Sequence, residues 1–138
     1  MSTKKFDTRS QLRAKLLALW HIPPVHWENK TFSPPRDSGG PLPYLREKLV
    51  PVDEALTAND ERTGIGFYQL DLFIPVDYSL ADAENLADQI KDHFRPAQVI
   101  GHIIITRSHV GDGNFDPPWY RIPITIDYRV HQPNLQPS

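Results

Sequence analysis

The sequence predicts an α+β fold, a two-layer sandwich in which a mainly antiparallel sheet carries two helices on one face. Two segments show the apolar period of amphipathic helices, and several others show the apolar pattern of strands. Short turns separate the strands, which favours antiparallel neighbours. The chain has 138 residues, of which 39% are hydrophobic and 23% charged, so we expect one domain, residues 1–138, with a single core.

The first helix is predicted over residues 8–20. Its apolar stripe is formed by Leu12, Leu16, Leu19 and Trp20. Pro23 and Pro24 follow, and two consecutive prolines cannot continue a helix. We expect residues 1–7 and 132–138 to be flexible tails.

Residues 25–32 (VHWENKTF) are predicted to form a short extended segment, and the glycine- and proline-rich residues 36–43 a loop. Two longer strands are predicted at residues 44–52 and 65–76, joined by a polar loop at residues 55–64. In the second of these strands, one apolar face is shared by Tyr68, Leu70, Leu72 and Ile74.

The second helix is predicted between Ser79 and Pro96. The side chain of Ser79 can cap its first turn, and Asp82 stands at the third helical position. Apolar residues recur at spacings of three and four, and they are Leu80, Ala83, Ala87, Ile90 and Phe94. Pro96 then closes the helix.

Two further strands are predicted at residues 98–106 and 120–131. The apolar face of the later strand is formed by Ile122, Ile124, Ile126, Tyr128 and Val130. Pro123 interrupts its polar face, which predicts an edge or bulged position because proline lacks the N–H donor. Residues 111–114 (GDGN) predict a hairpin turn, since glycine and asparagine tolerate positive φ.

The sequence contains no recognisable motif of a catalytic or metal site. There is no cysteine, which excludes disulfides and cysteine-based zinc sites, and none of the six histidines has a short ligand spacing. His102 lies within an apolar predicted strand, where we expect a hydrogen-bonded structural role. Asp71 is predicted on the outer face of its strand. We expect no cofactor and no enzymatic activity; the less favoured alternative is a small metal-dependent hydrolase built from His102, Asp127 and His131.

One segment resembles the opening of a calcium-binding loop. Asp112, Asn114 and Asp116 stand at alternate positions. However, Pro117 occupies the position that requires glycine, and Pro123 occupies the position that requires a bidentate glutamate. A turn therefore explains these residues better than a calcium site.

The composition also bears on possible partners. The net charge is −2, without the excess of lysine and arginine expected of a general nucleic-acid binder. The charged N-terminal residues lack the apolar segment of a secretory signal, and no apolar run is long enough to span a bilayer. We expect a soluble protein that is made in the cytoplasm and has no membrane partner.

A series of short motifs follows a recognisable order along the chain. These are W-x-N-x-x-F-x-P (27–34), Y-L-R (44–46), glycines 64 and 66 leading a strand, A-x-x-L-A-D-x-I…F (83–94) and I-D-Y (126–128). The order resembles that of the small tail-terminator and tail-completion proteins of long-tailed bacteriophages. The resemblance extends from the first helix to the last strand.

The resemblance implies a structural virion protein of the phage tail, assembled in the cytoplasm of the bacterial host. Such proteins form six-fold rings that cap the tail tube, end its polymerisation and offer a surface to the head-completion protein. DNA passes through the lumen without specific binding, and the acidic balance of this chain would suit such a lumen. A free monomer that assembles only on the tail is an alternative state. Another head–tail joining protein, which binds the connector, is the alternative function.

The candidate interface combines residues of the first motifs with residues of a later turn. They are Trp27, Asn29, Phe32, Tyr44, Arg46, Asp112, Asn114 and Trp119. Large aromatic residues serve both cores and interfaces, and for Trp27 we favour packing against the first helix.

Overall fold

A computed structural model describes residues 4–19, 21–56 and 61–133, with side chains described for residues 8–19, 21–52 and 64–130. Within these residues the helices are α1 (Lys4–Leu17) and α2 (Leu80–His93). The strands are β1 (Val25–His26), β2 (Arg36–Asp37), β3 (Gly40–Pro41), β4 (Tyr44–Leu56), β5 (Glu61–Pro75), β6 (Val99–Ile100), β7 (Ile103–Val110), β8 (Asn114–Asp116) and β9 (Trp119–Pro133).

One sheet of seven strands dominates the fold. Its order is β1-β4-β5-β9-β7-β6, with β8 paired to β9 beside the end of β7, and β2 and β3 form a separate ribbon. All strand pairs are antiparallel except β1 with β4, which is parallel. Strand β9 lies between β5 and β7, so the strand nearest the C-terminus is central. The predicted α+β class, with a mainly antiparallel sheet, is confirmed.

A single core lies between the sheet and the two helices. The predicted apolar faces of β5 and β9 are both buried, as are the inward residues of β4 and β7. Both helices contribute to the same cluster, since Leu12 and Leu16 of α1 pack with Ala87 and Ile90 of α2 against the strands. The helices therefore cover one face of the sheet, and the other face is turned to solvent.

Helix α1 starts earlier than predicted. It begins at Lys4 instead of Thr8, and it ends at Leu17, before the two prolines. Leu12 and Leu16 are fully buried, as the apolar stripe predicted. Leu19 packs against the core beyond the helix end, and Trp20, the last predicted member of the stripe, lies outside the described residues.

Helix α2 matches its prediction closely. The Ser79 side chain accepts a hydrogen bond from the backbone N–H of Asp82 at 3.2 Å, which completes the N-cap. Four of the five predicted apolar positions are buried, but Leu80 is 44% exposed. Leu80 is in the first turn, where it faces a surface groove and not the core.

The region between α1 and β4 contains less extended strand and more turn than predicted. Only Val25–His26 pair with the sheet, and the chain then turns through residues 28–29, with Asn29 at a φ of 62°. Residues 36–41 form the β2–β3 hairpin where a loop was predicted. Gly40 has a φ of 118° in this hairpin, which glycine adopts without a steric penalty.

Strands β4 and β5 extend into the segment that was predicted to be a polar loop. Strand β4 continues to Leu56 and β5 begins at Glu61, so the described strands occupy most of residues 55–64. A register shift between Pro51 and Asp53 marks a bulge in β4. The antiparallel ladder between β4 and β5 continues on both sides of this bulge. The backbone pairing therefore keeps these residues in strands although their side chains lack an apolar pattern.

The predicted strand at residues 98–106 is interrupted by a tight turn. Gly101 has a φ of 59°, and this left-handed conformation reverses the chain between β6 and β7. His102 therefore lies in the turn and is exposed, so its predicted position inside a buried strand is wrong. The run of isoleucines concealed the turn, because the apolar pattern continues through it.

The second chain reversal also differs from its prediction. Neither Gly111 nor Gly113 has a positive φ, and the hairpin turn lies instead at the cis peptide Pro117–Pro118, between β8 and β9. Residues 111–113 connect β7 to β8 on the same side of β9. Pro123 accordingly lies in a central strand and not at an edge of the sheet. Its carbonyl accepts from Gly111 N at 2.8 Å, so its missing donor faces the gap between β7 and β8.

Candidate interaction surface

Trp27 lies beside α1, where the chain leaves the sheet. It is half-buried and packs against the core. The guanidinium carbon of Arg13 lies 4.9 Å from the centre of its ring, which is a cation–π contact. This arrangement agrees with the favoured packing role for Trp27.

The partner of Arg13 is a buried carboxylate on the inner face of β4. Arg13 donates to both oxygens of Glu47, from Nε at 2.8 Å and from Nη2 at 2.6 Å. Tyr68 of β5 donates to Glu47 Oε2 at 2.5 Å. The Glu47 side chain has 0% exposure, so each of its oxygens depends on these partners.

Glu28 connects the same cluster to the turn after β1. Its backbone N–H donates to Glu47 Oε1 at 3.1 Å. Its own carboxylate accepts from Arg9 Nη1 at 2.7 Å and from the backbone N–H of Leu49 at 3.1 Å. We call Arg9, Arg13, Glu28, Glu47 and Tyr68 the buried ionic cluster; it joins α1, the turn and two strands.

Electrostatics keeps the acids of this cluster ionised. Burial opposes ionisation of Glu47, but hydrogen bonds from Arg13 and Tyr68 outweigh it and hold the Glu47 pKa below its usual value. For Glu28 burial is likewise outweighed, by the Leu49 N–H and Arg9, and its pKa is also lowered. Burial and the Glu47 charge raise the pKa of Tyr68, so its hydroxyl stays protonated as a donor. The carboxylates of Glu28 and Glu47 therefore serve as hydrogen-bond acceptors that hold the fold together.

A second cluster consists of aromatic rings at one end of the sheet. Phe32 stacks on His26 with ring centres 4.9 Å apart, and contacts Tyr44 at 5.0 Å. Tyr44 in turn stacks on Phe73 at 4.9 Å and meets Trp119 edge-on at 5.2 Å. We call these five residues the aromatic cluster. It brings together three residues of the predicted interface, Phe32, Tyr44 and Trp119, which are spread over 87 positions of the sequence.

Arg46 lies beside the aromatic cluster, on the same outer face of the sheet. Its guanidinium lies 4.8 Å from the centre of the Phe73 ring and donates to Asp71 Oδ2 at 2.9 Å. Arg121 approaches the same oxygen at 3.7 Å. Asp71 is on the outer face, as predicted, but it is only 4% exposed because these side chains cover it.

An open cleft of about 680 Å³ lies along this face. The turn after β1 forms one wall, and β4, β5 and β9 form the floor. Its solvent-facing cations include Arg46, Lys48 and Arg121, whereas Asp71 is buried and paired. The cleft is therefore polar and wide, and it lacks the enclosed apolar shape of a small-molecule site.

The remaining predicted interface residues lie apart from the aromatic cluster. Asn29 is exposed in the turn after β1, and Asp112 and Asn114 are exposed around the start of β8. Asn114 pairs with Arg121 across the β8–β9 ladder, which places it at the same end of the sheet as Tyr44. The structure thus groups Phe32, Tyr44, Arg46 and Trp119, and places Trp27 with α1.

The sequence reading missed an exposed apolar groove of about 270 Å³. Its lining combines the end of β5, the loop before α2, the first residue of α2 and the β8–β9 hairpin, and includes Val76, Tyr78, Leu80 and Phe115. Phe115 is 66% exposed. These apolar residues come from separate elements and gave no periodic signal, because the groove forms only when the β8–β9 hairpin folds beside the end of β5.

Among the described side chains, no group of three histidines or carboxylates could hold a metal ion. His102 is in its exposed turn, Asp127 is on β9, and the side chain of His131 lies outside the described residues. No helix in the described part of the chain has the length and apolar character needed to cross a membrane.

Comparison with known protein families identifies the family of this chain. A family model described as "Phage tail terminator protein" matches residues 8–128, which include nearly all of the described fold. No curated protein matches the chain.

Comparison with solved structures concerns the fold alone. One solved chain is 22% identical in sequence, with a TM-score of 0.62, and the match covers 94% of this chain and 98% of that chain. The two chains therefore share the overall fold.

Proposed function

Because the chain belongs to the phage tail terminator family, we propose that it caps the tail tube as a ring, ends tube polymerisation and offers a surface to the head-completion protein. Family membership makes it a structural protein of the phage tail, with other tail or head proteins as partners. The ring, its capping position and the head-joining surface are the proposed part. The protein would then be a virion component assembled in the host cytoplasm.

The match over residues 8–128 carries this proposal. The chemistry of the polar clusters is consistent with it. Glu28, Glu47 and Asp71 each accept hydrogen bonds from arginines or backbone groups, and these contacts fix elements of the fold against one another. Carboxylates bound in this way support a rigid building block better than they support proton transfer.

Two separate surfaces are available for contacts in a ring. A closed ring requires heterologous contacts, in which one patch of each subunit binds a different patch of the next. The aromatic cluster lies at one end of the sheet, and with Asn29, Asp112 and Asn114 it provides most of the predicted interface, to which we assign contacts with the tube. The helix layer and the rest of the outer sheet face, which includes Arg46 and Lys48 of β4, remain for contacts between subunits.

The test uses purified protein and tail tubes isolated from phage lysates that lack a terminator. Light scattering after gel filtration would give the mass across a wide concentration range, and negative-stain images would show any rings. We expect the protein to bind one end of the tubes and to stop their further growth when tube subunits are added. Tubes that continue to grow at the normal rate would contradict the proposal, and binding to isolated connectors alone would indicate the head–tail joining alternative.

A further inference from the structure

The solvent face of α2 is acidic. Ala83, Ala87 and Ile90 turn one side of the helix to the core. The other side carries four exposed carboxylates, which are Asp82, Glu84, Asp88 and Asp92. Lys91 is the one cation within the helix, and it already lies 3.7 Å from Asp92. The outward side of α2 therefore presents excess negative charge.

The outer face of the sheet has the opposite character. Five cations point from it, namely Arg46, Lys48, Arg107, Arg121 and Arg129. Of the carboxylates on this face whose side chains the structure describes, Asp71 is buried under two arginines, and Asp127 lies opposite Arg107 in the β7–β9 ladder. Asp116 is at the corner formed by β8. Lys48 and Arg129 are exposed, so among the described side chains of this face the charge that reaches solvent is mainly positive.

The two surfaces also match in size and spacing. Helix α2 has 14 residues, which corresponds to about 21 Å. The segment Leu45–Val50 of β4 extends about 20 Å at the rise of a strand, so the helix can lie along the cleft. Carboxylates four residues apart on a helix repeat every ~6 Å, close to the ~6.6 Å between alternate residues of a strand such as Arg46 and Lys48.

We propose that the acidic face of α2 on one copy of the chain docks against the basic outer sheet face of the next copy. This inference rests on the proposed ring and names the two surfaces that build it. The surfaces lie on opposite layers of the sandwich, so each copy can use both at once and the contact is heterologous. Their opposite charge speeds encounter and excludes a face-to-face pairing of identical layers.

Two charge-reversal variants test the contact. The helix variant is Glu84→Lys with Asp88→Lys, and the sheet variant is Lys48→Glu with Arg129→Glu. All four positions are exposed, and Arg46 and Arg121 are left unchanged because they hold Asp71. The matched control reverses two exposed cations elsewhere, Arg36→Glu with Arg95→Glu, and so changes the net charge by the same amount as the sheet variant.

Assembly is measured by light scattering in solution and by co-sedimentation with tail tubes, after thermal unfolding shows that each variant is folded. We expect the concentration at half-assembly to rise about tenfold or more for each charge-reversal variant alone and to stay unchanged for the control. An equimolar mixture of the two variants should restore assembly, since each then offers the surface that the other needs. The mixed ring alternates the two variants, which requires an even number of subunits, as in a hexamer.

The outcomes separate this contact from the ring itself. If the wild type neither assembles nor binds tubes, the proposed function fails. If the wild type assembles and both variants do so equally well, or if mixing restores nothing, the docking assignment is overturned while the ring stands. Duplex DNA is the remaining probe: loss of DNA binding by the sheet variant with normal assembly would assign the basic face to nucleic acid and would also overturn the proposal.

Discussion

At the scale of single residues, Glu47 shows how a charge can be a structural element. It stands at an inward position of β4, where the strand pattern calls for an apolar side chain, and its side chain has 0% exposure. Removing a carboxylate from water is costly unless its oxygens are fully paired, and here Arg13, Tyr68 and the Glu28 N–H pair them. The polarity of this position is thus explained by residues on α1, β5 and the turn after β1.

Replacing Glu47 with glutamine tests this pairing. We expect Glu47→Gln to lower the free energy of unfolding by about 2 kcal/mol, because the partly buried Arg13 loses its counter-ion. Denaturation in urea would measure the loss. Lys48→Gln, at the next and solvent-facing position, is the control and should change stability by less than about 0.5 kcal/mol. Equal effects of the two substitutions would refute the structural role of Glu47.

The same cluster predicts how stability depends on pH. The folded-state pKa values of Glu28 and Glu47 are lowered, so their contribution is complete above the pKa of about 4.3 that glutamate has in an unfolded chain. As the pH falls through the lower folded-state values, the contribution is lost. We expect the wild type to lose stability in this acidic range more steeply than Glu47→Gln. Parallel curves from thermal unfolding between pH 5 and the acid limit would contradict the assignment.

Two aromatic truncations separate packing from surface exposure. Trp27 packs against the core and under Arg13, so Trp27→Ala should lower the free energy of unfolding by about 2–3 kcal/mol, less than a fully buried tryptophan. Phe115 is 66% exposed, and Phe115→Ala should change stability by less than about 0.5 kcal/mol. If Trp27→Ala were as stable as the wild type but failed to bind tail tubes, Trp27 would belong to the interface instead.

At the scale of elements, the spacing of apolar residues predicted the helices and the main strands. It failed where the backbone conformation of one residue reverses the chain. The apolar residues of β5, β9 and α2 were predicted correctly because burial on one face imposes a regular spacing. Gly101 breaks the isoleucine-rich segment into two strands with one positive φ, and this leaves the apolar pattern intact. Residues 55–56 and 61–64 of the predicted polar loop lie in strands because the two long strands β4 and β5 pair with each other there.

Gly66 provides a test of how closely the strands pack. A Cβ at this position would lie 2.6 Å from the Val50 carbonyl oxygen and 2.6 Å from the Tyr128 hydroxyl. Gly66→Ala must therefore displace backbone as well as a ring, and we expect it to lower the melting temperature, with a stability loss of about 2 kcal/mol. Gly39→Ala is the control, since its nearest side-chain atom would lie 3.3 Å away in an exposed hairpin. A melting temperature for Gly66→Ala equal to that of the control would show that the strands can separate at low cost.

At the scale of the whole molecule, the sheet order lies beyond what local patterns can specify. Strand β9 pairs with β5 on one side and with β7 on the other. Segments that are far apart in the sequence thus become neighbours in the sheet. Local patterns cannot specify the candidate surface for the same reason, since its residues are distant in the sequence. The residues Phe32, Tyr44 and Trp119 could each be named from the sequence, but their ring contacts depend on the register of β4, β5 and β9. The separation of charge between α2 and the sheet face also appears only once the layers are assembled, because the net charge of −2 conceals it.

The buried ionic cluster also has a consequence for synthesis on the ribosome. Arg13 emerges early, but Glu47 follows 34 residues later, which is a delay of about two to seven seconds at ordinary elongation rates. Until then the helix that carries Arg13 has neither its counter-ion nor the strands that cover Leu12 and Leu16. Strand β9, which closes the centre of the sheet, is the last of the described strands to be made. A nascent chain that stalls before β9 would expose the unpaired edge of β5, a template on which other stalled chains can add strands, so uninterrupted translation protects this protein from aggregation.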